Sequence, residues 1–362
     1  MDSRDGDAAP GDSVWQERYR AAQTALEDAA ALTRIATTVE RAQAGAAPTA
    51  YLLGGGERLA TARRIGLFSG SFNPLTTAHV ALARAAWRVG NLDALVWACT
   101  ATTIDKERVT RASLVDRLAQ MQSFAQRRPA QTVALLNRGL YVEQATALRA
   151  LLAPEAELAL VIGFDKVVQI FDPRYYVDRD AALDMLFARA RLLVGPRVGA
   201  GPRELAELLG RPENAAYRER VSYVPLATQF AGDSSTRVRE LAAHGERGEH
   251  GERGERGHDQ HEEMERLVTP EGAALVATGA YAAVGTDAAD RADAYALRQA
   301  WVRALASVPA LAAEARMPPL AALIAAACAA DARGSALRAW LLGEQWGDVP
   351  AEVFEVLRRS MR

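Results

Sequence analysis

The chain has 362 residues, 49% hydrophobic and 24% charged, the mix of a folded globular protein rather than a disordered or fibrous one. Forty-three basic side chains face 45 acidic ones, a net of −2, so no overall field draws the molecule to nucleic acid or anionic lipid, and any anion must be held by a local site. Cys99 and Cys328 are the only cysteines, which excludes a disulfide framework and a CxxC metal site and makes a reducing cytoplasm the expected compartment.

The acidic, polar start MDSRDGDAAPGD lacks the basic-then-apolar order of an export signal. Residues 1–12 read as a disordered tail, and Val14 to Ala44 as a long helix or helical hairpin, giving an N-terminal segment over 1–49. From Ala50 short apolar runs alternate with helical stretches. Predicted strands are Arg64–Phe68, Leu92–Ala98, Thr132–Leu136, Glu157–Ile162, Arg191–Val194 and Val221–Pro225. Predicted helices between them are Ala78–Arg88, Ser113–Gln126, Val142–Leu152, Asp180–Ala190 and Pro202–Leu209. Strand and helix in alternation predict an α/β fold, a doubly wound parallel sheet, over residues 50–285.

Gly245 to Gly257 repeats glycine every third residue among charges, which predicts a solvated insertion over 245–263 rather than collagen. Residues 286–362 are alanine-rich and predict a separate helical module with no chemical motif. Its longest apolar run, Leu320 to Ala330, has 11 residues, whereas a membrane span needs about 20. No membrane partner is expected.

In doubly wound sheets ligands bind beyond the carboxyl ends of the strands. The segment RIGLFSGSFNPLTTAHVALA, Arg64 to Ala83, runs from an apolar strand through a small-residue loop into a helix. Such a turn cradles phosphate, with backbone N–H groups of Ser69, Gly70 and Ser71 and the positive end of the helix dipole available to an anion. His79 falls in the first helical turn, and it is the only one of five histidines outside the hydrophilic insertion and its border. A second segment, DSSTRVRE from Asp233 to Glu240, places the N-cap types Ser234, Ser235 and Thr236 at a helix start, with Arg239 one turn later. Alone, it would more readily describe a capped surface helix with an exposed arginine.

Together these segments resemble the (H/T)xGH and SSTxxR motifs of the nucleotidyltransferase superfamily. The likeness spans Arg64 to Ala283 and extends to VIGFD (Val161–Asp165) with FDPRYY, LLVGPR, and MERLVTPEGAALVATGAYA, which look most like nicotinamide or nicotinate mononucleotide adenylyltransferases. The resemblance implies adenylyl transfer from ATP to that mononucleotide, with release of pyrophosphate. It implies catalytic roles for His79, Thr76 and Arg239. ATP would bind Ser69, Gly70, Ser71, Phe72, Ser234, Ser235 and Thr236, and the acceptor Lys106, Gly163, Asp165 and Tyr175. Magnesium would accompany ATP, and no protein-held metal is expected.

Two positions depart from the pattern. Thr76 stands where the mononucleotide branch has histidine, as in the pantetheine-phosphate branch, and Ala78 replaces glycine. Other acceptors, CTP in place of ATP, or a catalytically inactive nucleotide-binding regulator therefore stay open as alternatives.

Overall fold

A computed structural model describes residues 10–54, 56–102, 112–231, 235–244 and 263–281, together with positions 295, 298, 299, 302 and 306. The expected tail up to residue 9, Lys106, Ser234, the insertion over 245–262 and nearly all of 286–362 lie outside these residues. The chain divides into two compact units, one of residues 35–110 and 124–237 and one of 1–34, 111–123 and 238–362.

The first unit contains a seven-stranded sheet: β1 (Ala50–Leu52), β2 (Arg64–Ser69), β3 (Ala94–Thr100), β4 (Gln131–Leu136), β5 (Glu157–Gly163), β6 (Arg191–Gly195) and β7 (Val221–Tyr223). Its order is β1-β4-β3-β2-β5-β6-β7. All neighbours run parallel except β1, which pairs antiparallel with β4. Strands β3 and β5 are near-continuous apolar runs, buried along almost their whole length, because helices cover a parallel sheet on both faces.

Helices α1 (Pro10–Glu27) and α2 (Ala29–Ala44) precede the sheet, broken at Asp28, whose carboxylate accepts from the Ala31 N–H at 2.9 Å. After the short α3 (Gly56–Leu59), α4 (Thr77–Gly90) and α5 (Leu114–Gln126) link β2 to β3 and β3 to β4. Then α6 (Tyr141–Arg149) leads back across the sheet to β5, followed by α7 (Phe164–Phe171), α8 (Arg179–Arg189), α9 (Pro202–Gly210), α10 (Thr228–Ala231), α11 (Ser235–His244) and α12 (Pro270–Ala277). The five predicted helices and six predicted strands are all present, with no end shifted by more than three residues.

Strand β1 and helix α7 are not legible in the sequence. The three residues of β1 carry no alternation of their own. They are set in place by buried Asn137, whose Oδ1 accepts from the Thr49 N–H at 2.7 Å and whose amide donates to the carbonyls of Gly45 and Ala47 at 3.2 and 2.8 Å. Gly195, which ends β6, has the opposite use: an added Cβ would land on Leu82, so its absence lets α4 lie close to the sheet.

The topology fixes where ligands bind. The chain leaves β2 outward to β3 and β4, then returns to the other side of β2 as β5. The order therefore reverses at β2, and the crevice lies beyond the carboxyl ends of β2 and β5.

The second unit is helical in its described parts. Arg18 of α1 makes a two-pronged ion pair to buried Glu271 of α12 at 2.8–3.1 Å. Asp116, 4% exposed, takes Arg298 at 2.7 Å and the Tyr295 hydroxyl at 2.6 Å, and this compensation outweighs burial and holds its carboxyl below the ordinary carboxylate range. No described helix is long and apolar enough to cross a membrane.

Candidate active site

The loop after β2 is internally packed. Phe72, Asn73, Pro74, Leu75 and Thr76 are all buried, whereas Ser71 faces solvent. Phe72 is fully buried at φ 43°, a left-handed conformation costly for an aromatic residue. Its ring is held edge-on to Phe68, His79 and Trp97 at centroid distances of 5.4, 5.2 and 5.5 Å, and this packing maintains the strained turn.

Gly70 works differently from the expectation. Its N–H donates to the Ala98 carbonyl at 3.0 Å, so it extends the β2–β3 ladder and is not offered to an anion. What glycine supplies is room: an added Cβ would meet the Phe72 ring at 3.0–3.1 Å. Ser69 ends β2, half-buried, beside this turn.

Thr76 is the N-cap of α4. Its hydroxyl oxygen accepts from the His79 N–H at 3.3 Å, and its own N–H donates to His79 Nδ1 at 3.1 Å. The Thr76 hydroxyl also lies 2.7 Å from Nδ1. A backbone N–H can only donate, so Nδ1 carries the lone pair and the imidazole proton sits on Nε2. Burial among Phe68 and Phe72 pushes the His79 pKa down to about 4. At neutral pH the ring is therefore uncharged, with Nε2–H as its donor. Thr76 itself is 1% exposed and directs its hydroxyl to the helix turn and the imidazole.

The second segment meets this loop through one bond. Ser235, the first residue of α11, donates its hydroxyl to the Pro74 carbonyl at 2.9 Å. Thr236 is exposed, and Arg239 lies half-buried one turn further on, within electrostatic reach of the Tyr281 phenol. At the neighbouring strand end, Gly163 closes β5 and caps α7. Asp165, in the first turn of α7, is exposed and pairs with Arg197 at 2.8 Å. Sequence reasoning did not single out Arg197, although it sits in LLVGPR directly after the next parallel strand, where such a partner is to be sought. Tyr175 is half-buried in the 3-10 turn Pro173–Tyr175, while its neighbour Tyr176 donates to the Ile170 carbonyl at 2.9 Å and serves the loop itself.

A strand order that reverses at β2, a tight loop there and a hydroxyl-bearing helix start bonded to it mark the ligand crevice of a doubly wound α/β domain. Residues 67–241 match the model of the Cytidylyltransferase-like family. A probable nicotinate-nucleotide adenylyltransferase of Gloeobacter violaceus is 29% identical over 194 residues, which cover 50% of this chain and 85% of that protein. Two solved structures of Plasmodium falciparum nicotinic acid mononucleotide adenylyltransferase, complexed with NaAD and with APC, are 11% identical to it. Each alignment covers 60% of this chain and 97% of theirs, with TM-scores of 0.39 and 0.38, too distant to carry an argument about ligands.

Proposed function

We propose that the protein transfers the adenylyl group of ATP to nicotinate or nicotinamide mononucleotide, forming the dinucleotide and pyrophosphate. The observation that carries this reading is the Ser235–Pro74 hydrogen bond, because it joins the two segments that would hold one triphosphate. The cytidylyltransferase-like match and the nicotinate-nucleotide relative support the reaction class and the acceptor.

In the reaction a phosphate oxygen of the mononucleotide attacks the α-phosphorus of ATP, and the bond from that phosphorus to the bridging oxygen of pyrophosphate breaks. The nucleophile is already an anion, so no covalent enzyme intermediate is needed. Catalysis consists of aligning two anions and stabilising the charge that develops toward the leaving group. His79 Nε2–H donates to a phosphate oxygen as a neutral group, and Thr76 keeps that nitrogen protonated by occupying Nδ1. A neutral donor with a pKa of about 4 is no proton source at pH 7, which makes hydrogen bonding rather than general acid chemistry its contribution. Ser69, Ser71 and the α4 start flank the α- and β-phosphates, with Gly70 and Phe72 shaping the turn. Ser234, Thr236 and Arg239, with the backbone N–H of Ser235, take the β- and γ-phosphates, while the Ser235 hydroxyl holds this segment to Pro74. Lys106, Gly163, Asp165 and Tyr175 serve the acceptor, with Arg197 fixing the Asp165 carboxylate.

Magnesium arrives with ATP. Bound with ATP, magnesium would neutralise charge on the triphosphate and so assist departure of pyrophosphate. The deciding experiment measures pyrophosphate release from ATP or CTP with nicotinate mononucleotide, nicotinamide mononucleotide or pantetheine phosphate. Release only with ATP and a pyridine mononucleotide is expected. Release with another pair reassigns the acceptor or nucleotide, and release with none rejects the enzyme.

A further inference from the structure

A cleft of about 470 Å³ lies on the face of the sheet between α4 and the end of α5, along the side of α4 rather than at the turn that starts it. That volume is in the range of small-molecule sites, about 300–1,000 Å³. Its apolar wall is built by Val80, Ala83 and Trp87 of α4, with Leu95, Trp97 and Phe124 beneath. The α4 residues recur with the three- and four-residue spacing of one helical face.

Three guanidinium groups surround this apolar wall: Arg84 and Arg88 of α4, and Arg128. Arg84 and Arg88 are exposed, four residues apart, and make no ion pair among the described residues. Like charges at that spacing repel, a cost that a bound anion removes. Arg128 is fixed in place, stacked 3.6 Å over the Phe124 ring while its Nη1 donates to the Phe124 carbonyl. Gln131 Oε1 accepts from the Trp97 indole at 2.9 Å, which turns its amide NH₂ to the remaining side as a further donor. Aromatic rings below, cationic and amide donors at the edge, and no carboxylate in the lining match one ligand chemistry: a flat aromatic ring carrying an acidic group.

From this charge complementarity we infer that the cleft is a second, non-catalytic binding site for a small aromatic anion. The ring packs on the half-buried Val80 and Trp87, above the buried Trp97 and Phe124, and the acidic group meets Arg84 and Arg88. The site also connects with the candidate active site. Trp97 packs on Phe124 at 5.3 Å and on Phe72 at 5.5 Å, and Phe72 packs on His79 at 5.2 Å. His79 and the cleft wall share helix α4.

The test uses the full chain with 8-anilinonaphthalene-1-sulfonate, read by its own emission and by energy transfer from tryptophan. Saturable binding is expected in the unmodified protein and in His79→Ala. Arg84→Glu/Arg88→Glu, checked for native circular dichroism, should weaken it about tenfold or more, because two attractive charges become repulsive. The neutral N-phenyl-1-naphthylamine should bind at least about tenfold less well for the same reason. With the ATP site filled by a non-hydrolysable analogue, displacement by 5′-AMP points to a phosphate ligand and displacement by benzoate to a carboxylate one, and either supports the site. The inference is overturned by absence of saturable binding, by equal binding of the neutral dye, by indifference to the charge reversal, or by failure of both displacers. It is equally overturned if the charge reversal changes the sedimentation coefficient with no effect on dye binding, since the face is then a contact between copies. None of these outcomes depends on adenylyl transfer.

Discussion

The two loops that face the proposed nucleotide are built by opposite means. The turn over 70–76 is closed by buried packing: Phe72 is held in a left-handed conformation by three rings, and Thr76 is bonded twice to the histidine it positions. The start of α11 instead has an exposed Thr236 and is joined to the first loop by the Ser235 hydroxyl. The first loop is preorganised, with its strain carried by the aromatic cluster. The second is held to the first by a side-chain hydroxyl rather than by ring packing. Damage to the first should therefore appear in turnover and stability, and damage to the second in nucleotide affinity.

The sharpest way to break this contrast is His79→Ala. It should lower kcat by about 10²–10⁴-fold, the range for removing a positioned donor, with KM for ATP changed much less. A loss confined to KM would reverse the assignment of the two loops.

Acid stability gives the next largest effect. Folding lowers the His79 pKa from 6.5 to about 4, so between those values the unfolded chain binds more protons than the native one. Stability then rises with pH across that window; going downward it is lost from about pH 6.5 to about pH 4 and levels off below. The full loss is of order 3 kcal/mol. Thermal melts of His79→Gln should be correspondingly flatter from pH 6.5 to 4, and parallel curves would refute the neutral, part-buried ring. Turnover near pH 7 should show no ionisation belonging to this histidine.

Gly70→Ala comes third. A Cβ 3.0 Å from a fully buried ring forces Phe72 to move, at a cost of about 1–3 kcal/mol, with kcat falling alongside. Chemical denaturation and steady-state kinetics on one preparation would show whether the two losses coincide.

The smallest effect is expected from Ser235→Ala. Loss of one partly buried hydrogen bond should cost about 0.5–1.5 kcal/mol. A rise in KM for ATP with kcat nearly constant would separate this loop from the first.

Much of the frame is legible in the residues. Six strands and the helices between them follow from runs such as ALVWACT and ELALVIG, because a strand buried on both faces must be apolar throughout. The Thr76 cap was also within reach, since a threonine three residues before a polar side chain at a helix start is a capping pattern. Its consequence for the imidazole proton was not. Gly70 shows the same limit: a glycine in such a loop suggests an exposed amide, and only the β2–β3 register shows that amide already bonded to Ala98.

By itself the sequence determined the order of strands and helices, the two motif segments and the one histidine among them, since these are matters of local pattern and residue type. Tertiary structure decided which strand ends became neighbours, that Ser235 reaches Pro74, that Asp165 meets Arg197, and that three guanidinium groups surround a common apolar wall. Those pairings join residues up to 161 positions apart along the chain. They depend on sheet order and helix packing, which no local spacing encodes.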